Sequence, residues 1–314
     1  MAPRSGRRTY RTATRRSGSY RAKRRTRSFG RRASSFGKMR RSRRTYRRPR
    51  RMTRRKVLNA STIKKRDTML CWTNTNGGTE TVGPALFSAT SGQHFAVVWS
   101  PTCRGSTSSG GLRGSKFFVQ NRTASTTYAV GVSERIKIQT TQGSGWHWRR
   151  ICFTLKGDTL YTGRRATFTL SDSPVARITS DGLKRAVLLS EDALRTRSVI
   201  FKGAQNVDWS DPMLAPIDTN RITPLYDRTF KIQSQNESGR TLVKKLWHPM
   251  RRNIVYDEDE NGEAMTESFY SVEGKAGMGD YYIADFFTSD ATAADSSPSS
   301  LLFNPQATYY WHER

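Results

Sequence analysis

The side chains best equipped to do chemistry in this sequence are arginines. Residues 1–66 carry 28 basic side chains, 23 Arg and 5 Lys, and no acidic one, the first acid being Asp67. A guanidinium is permanently charged and planar, and it grips phosphate oxygens through two parallel hydrogen bonds. Neutralising a row of phosphates releases condensed counterions, so affinity grows with the number of cationic contacts. Tyr10, Tyr20, Phe29, Phe36 and Tyr46 punctuate the basic run, and such rings stack on unpaired bases of any sequence. Nothing there supplies a fixed geometry for reading base edges. The chemistry expected is sequence-tolerant nucleic-acid binding, set against the plainer alternative of a solvated tail. The contacts are assigned to the stretch nearest the folded body: Arg43, Arg44, Tyr46, Arg47, Arg48, Arg50, Arg51, Arg54, Arg55, Lys56, Lys64, Lys65 and Arg66. Two clusters, Lys23-Arg24-Arg25 and the basic residues from Arg47 to Lys56, also fit nuclear-import signals, a short and promiscuous motif.

Other chemistries find less support. Asp257, Asp259, Asn261 and Gly262 fall at positions 1, 3, 5 and 6 of a calcium loop, but position 12 is Ser268 and Glu267 comes one residue early. A hairpin turn at Asn261-Gly262 is the better expectation. The segment Gly105 to Gly111 lacks the Lys-Ser or Lys-Thr of a phosphate-binding loop. His94, His147, His248 and His312 show no metal-ligand spacing, and no serine nucleophile elbow occurs. No enzyme activity, metal or cofactor is expected. Cys71, Cys103 and Cys152 are odd in number and far apart, which suits a reducing site of synthesis better than a disulfide framework.

The elements that must present these residues divide sharply. Beyond residue 66, 27 basic residues face all 25 acidic ones, so nearly the whole net charge of +30 belongs to the arm. The arm, residues 1–66, has almost nothing apolar to bury and repels itself, so it is expected to be disordered. The body, residues 67–314, holds all seven Trp residues. Period-two alternation marks half-buried strands at Phe95-Val97-Trp99, Ile151-Phe153-Leu155 and Phe230-Ile232. Tyr128, Val130, Val132, Ile136 and Ile138 form another such series, with Glu134 as its exception. The run from Tyr281 to Phe287 is apolar on both faces, as in a strand between two layers. Met69 to Trp72 and Ser198 to Phe201 add shorter candidates, and one short helix is expected over Leu183 to Arg195. Many strands and long loops predict an all-β sandwich or jelly roll. No apolar run reaches the roughly 18 to 20 residues of a membrane span, and the N-terminus shows no signal-peptide core, so no membrane partner is expected.

Specific residues add a resemblance. The opening Met-Ala-Pro-Arg, the strand Trp148-Arg149-Arg150-Ile151-Cys152-Phe153, the tetrad Asp227-Arg228-Thr229-Phe230 and the segment Asn253 to Gly262 resemble capsid proteins of circular single-stranded DNA viruses. The likeness is greatest to the genomoviruses, with the geminiviruses more distant. It implies an eight-stranded viral jelly roll of two packed antiparallel sheets, and a T=1 icosahedral shell of 60 subunits around a circular single-stranded DNA genome. It also implies residence in the virion, assembly in the host nucleus and contact with nuclear import receptors. Sixty arms would balance on the order of 1,700 phosphates, the length of a small circular genome. A cellular single-strand-binding or chromatin-associated protein with a basic tail is the competing expectation.

Overall fold

The computed structural model describes residues 52–90, 93–107, 114–141, 143–161, 173–189, 193–234, 238–290 and 298–314. The first element is the helix α1 (Arg54–Ser61), followed by β1 (Ile63–Met69), β2 (Cys71–Thr73), β3 (Thr81–Val82), β4 (Ala85–Ala89) and β5 (His94–Trp99). Two long strands, β6 (Thr126–Thr140) and β7 (Trp146–Leu155), precede the short β8 (Arg177–Thr179) and β9 (Gly182–Val187). The helix α2 (Ala193–Ile200) leads to β10 (Thr223–Ile232), β11 (Thr241–Val255), β12 (Glu260–Asn261) and β13 (Ala264–Met265). The described chain closes with β14 (Asp280–Ser289) and β15 (Ser299–Glu313).

The fold is all-β, and two sheets dominate it. One runs β1-β15-β6-β11, with β4 also paired to β15; the other runs β10-β7-β14-β5. Every pairing within both is antiparallel. A smaller sheet, β3-β2-β9-β8, contains the parallel pair β2–β9. Two clusters of buried side chains join the large sheets. One brings Val132, Tyr309 and Trp311 against Cys152, Tyr281 and Ile283; the other brings Ile136, Ile138 and Phe303 against Trp146, Trp148 and Phe287. Aromatic residues dominate both, which matches the apolar area that such rings remove from water. A third cluster lies on the opposite side of β7 and β14, where Phe153, Tyr282 and Phe286 sit with Ile200, Phe201 and Ile222. Strand β14 is thus buried on both faces, as its unbroken apolar run predicts.

Four expectations need correction. The fold begins before the expected boundary at 66/67, since α1 starts at Arg54 and β1 spans Ile63–Met69, paired along its length with β15. The short helix is not over Leu183 to Arg195: Gly182–Val187 is strand β9, and the helix is Ala193–Ile200. The reason is the two-residue turn Ser180-Asp181, which reverses β8 into β9, with Gly182 at φ +94 opening the returning strand. Ser198 to Phe201, read as a strand, instead contains the end of that helix. Lastly, Tyr128 leaves the buried face of β6, because the pairing slips by one residue around Gly131, between Pro249/Arg252 of β11 and between Tyr310/Trp311 of β15. A one-residue slip exchanges faces. The hairpin expected around Asn261-Gly262 is present as β12–β13, with its turn one residue on at Gly262-Glu263 and Gly262 at φ +62.

Candidate nucleic-acid interface

Of the residues expected to bind phosphate or an import receptor, Lys23, Arg24, Arg25, Arg43, Arg44, Tyr46, Arg47, Arg48, Arg50 and Arg51 lie outside the described residues. Arg54, Arg55 and Lys56 form the first turn of α1, with Arg54 and Lys56 exposed. No acidic residue stands in that turn.

The triplet Lys64-Lys65-Arg66 divides by strand parity. Successive side chains on a strand point to opposite faces, and Lys64 and Arg66 are exposed while Lys65 is buried. The Lys65 ammonium lies 2.9 Å from Glu313 Oε2 and donates to Asn121 O at 2.7 Å and Thr123 Oγ1 at 3.1 Å. All three of its protons are taken. Glu313 also accepts from Trp311 Nε1 at 2.7 Å. Lys65 is therefore a buried structural residue tying β1 to the end of β15, not a phosphate contact.

The outward face of the sheet β1-β15-β6-β11 continues the basic character of Lys64 and Arg66. Register places Lys64, His312 and Tyr128 in one row, and Arg66 beside Tyr310 in the next. Thr68, Thr308, Ser133 and Trp247 follow, then Gln306, Arg135 and Lys245, then Asn304, Lys137 and Val243. None of these rows contains an acid. The cations Lys64, Arg66, Arg135, Lys137 and Lys245 are all exposed. Among the described residues none of them makes an ion pair. Trp247 is 48% exposed and Tyr128 is 38% exposed. Trp247 lies 5.9 Å from Tyr310, and Tyr128 lies 5.9 Å from His312. Partial burial, with Lys64 beside it, lowers the pKa of His312.

Gly131 makes room for that surface, since a Cβ there would stand 2.8 Å from the Trp247 ring and 2.6 Å from His248 O. Sequence reasoning missed this face because it weighed the density of charge rather than its phase. Arg135 and Lys137 alternate with the buried Ile136 and Ile138, and that alternation was visible.

Under the face lies a sealed charge network. Arg150 binds Asp285 through Nε at 2.7 Å and Nη2 at 2.8 Å, and its Nη1 meets Glu134. Arg185 reaches Glu134 and Asp285, each at 3.0 Å. All four side chains are inaccessible to water. Burial alone would raise both carboxyls, but Arg150 and Arg185 outweigh it and hold them below the usual range. Two cations meet two anions, and Trp148 Nε1 donates to Asp285 at 2.8 Å. Glu134, the odd member of its strand by pattern, is the hub linking β6 to β7 and β9.

Beside the network, Cys152 Sγ sits 3.7 Å from His248 Nδ1. Burial pushes the Cys152 thiol up to about 12 and, with Arg150 nearby, lowers His248 to about 4. Both groups are neutral at pH 7, so the pair holds no thiolate nucleophile. The acidic stretch at 257–260 divides too. Glu258 pairs with the buried Arg122, while Asp259 and Glu260 stay exposed at the hairpin. Among the described residues, no group of three or more His, Cys, Asp or Glu is placed to hold a metal ion. None of the described helices is long and apolar enough to cross a membrane. Comparison with protein-family models and with curated proteins finds no match for this chain.

Proposed function

We propose that this chain is a viral coat protein of the genomovirus type, which closes a T=1 shell of 60 copies and packages circular single-stranded DNA through its basic arm. The body of that reading is an eight-stranded jelly roll. Take β1, β5, β6, β7, β10, β11, β14 and β15 as eight principal strands. The first pairs with the eighth, the second with the seventh, the third with the sixth and the fourth with the fifth. That nesting is what one long antiparallel ribbon gives when it is rolled around a core, the plan of double-sheet capsid domains. The smaller sheet, α2 and β12–β13 are additions within its loops.

The observation that carries the function is the division of charge: 28 cations without an acid precede a body holding 27 basic and 25 acidic residues. Such an arm suits the inside of a shell, where phosphates neutralise it, and a near-neutral body lets copies meet without strong repulsion. Closed symmetry reuses the same body surfaces at two-, three- and five-fold contacts. The basic clusters fit import into the host nucleus, where such a genome is assembled into virions. Electron microscopy of the expressed protein, with its 260 to 280 nm absorbance ratio, tests this. Uniform round particles that contain nucleic acid are expected. Small soluble species that stay open when DNA is supplied would contradict it and favour a cellular binding protein.

A further inference from the structure

We propose that the outward face of β1-β15-β6-β11 is a second binding site, distinct from the arm, for an unpaired nucleic-acid strand. The inference rests on the packaging function above and adds where, and by what chemistry, the folded wall itself engages the strand.

Charge is the first argument. Residues 67–314 are nearly balanced, yet three of their cations, Arg135, Lys137 and Lys245, join Lys64 and Arg66 on this face with no acid in any of its rows. Concentrating one sign on one face of a balanced domain creates a field that attracts a polyanion. The second argument is the rings. Trp247 and Tyr128 keep a large part of their surface in water, where other described residues do not cover them. Each stands beside another ring, Tyr310 or His312, and burial with Lys64 nearby lowers the His312 pKa, which favours the uncharged ring. Exposed rings interleaved with cations are the surface on which successive unpaired bases stack while the backbone tracks the charges. A duplex already stacks its bases internally and would meet only the cations. Lys64 and Arg66 sit at the edge of the face, on the first strand after α1, so the chain passes from arm to face without an intervening acidic segment.

The test uses the full chain and single-stranded oligonucleotides carrying 5-iodo-deoxyuridine, with photo-crosslinks located by peptide mass spectrometry. Crosslinks on Trp247, Tyr310 or Tyr128, in addition to the arm, are expected. Trp247→Ala should weaken binding of a single strand roughly 10-fold while leaving duplex binding unchanged, and Trp247→Phe should restore most of it. Replacing Arg135, Lys137 and Lys245 together by Gln should reduce the salt slope for a single strand by about 2. Crosslinks confined to arm peptides, with both variants binding like the parent, would overturn the site. Particles that still assemble around DNA in that case would leave the coat function standing, whereas loss of particles with crosslinks retained on the face would remove only the shell.

Discussion

Lys65 and its neighbours make the sharpest statement at the scale of single residues. Three adjacent cations read alike in sequence, but the strand sends Lys64 and Arg66 outward and Lys65 onto Glu313. Removing one partner of a buried ion pair strands the other. Lys65→Ala should therefore destabilise the protein by about 3–5 kcal/mol, measured by denaturant unfolding, with the DNA salt slope unchanged. Lys64→Ala and Arg66→Ala should do the reverse, each lowering the single-strand slope by about 0.7 at unchanged stability. The identity of these cations was legible in the sequence; the alternation that sorts them needed the boundary of β1, which the low apolar content of residues 57–66 concealed. His248 gives a pH prediction. Its folded value of about 4 lies below the ordinary 6.5, so its contribution is fully present above pH 6.5 and is lost as pH falls toward 4. Asp280, pushed up to about 6 by burial, acts in the opposite direction as pH rises, so the effect is best read as a difference. Relative to His248→Gln, the parent should lose about 1.4 kcal/mol per pH unit between 6.5 and 4. A flat difference would place His248 in water.

Elements explain which parts of the fold were readable. Strand β10 follows from period two and the doubly buried β14 from its unbroken apolar run, whereas β5 and β7, expected to be half-buried, are covered on their second face by the cluster that holds Ile200 and Phe201. The missed helix and the missed face of Tyr128 are both local changes of course: the turn Ser180-Asp181 ahead of Gly182 reverses the chain, and the register slips beside Gly131. Side-chain pattern carries no mark of such a slip. Gly131→Ala is expected to cost about 1–3 kcal/mol, since its Cβ meets both a ring and a backbone oxygen, and to shift Trp247 emission. The buried network is the other device at this scale. Glu134, Arg150, Arg185 and Asp285 come from β6, β7, β9 and β14, so one cluster fixes how three sheets meet. Asp285→Asn leaves two guanidiniums short of charge and should destabilise by about 3–5 kcal/mol. Asp259→Asn, at the exposed hairpin, should change stability by less than about 0.5 kcal/mol.

For the whole molecule, the arrangement of charge is the organising fact: a cationic N-terminal sequence, a sheet whose outward face bears cations and rings, and a body otherwise balanced. The proposed role of the arm rests on composition alone, on 28 like charges in 66 residues. The sheet face was not legible in that way, because its five cations come from three strands far apart in sequence and meet only through the antiparallel pairing β1-β15-β6-β11. The claim that binds these features together is a closed shell of fixed copy number around nucleic acid. Mass measurement of single nuclease-treated particles by charge-detection mass spectrometry tests it most directly. Sixty chains of 35.7 kDa with a genome that balances their arms predict about 2.1 MDa of protein and on the order of 0.5 MDa of DNA. A distribution centred on one or two chains after nuclease treatment, with no multi-megadalton species, would contradict the account.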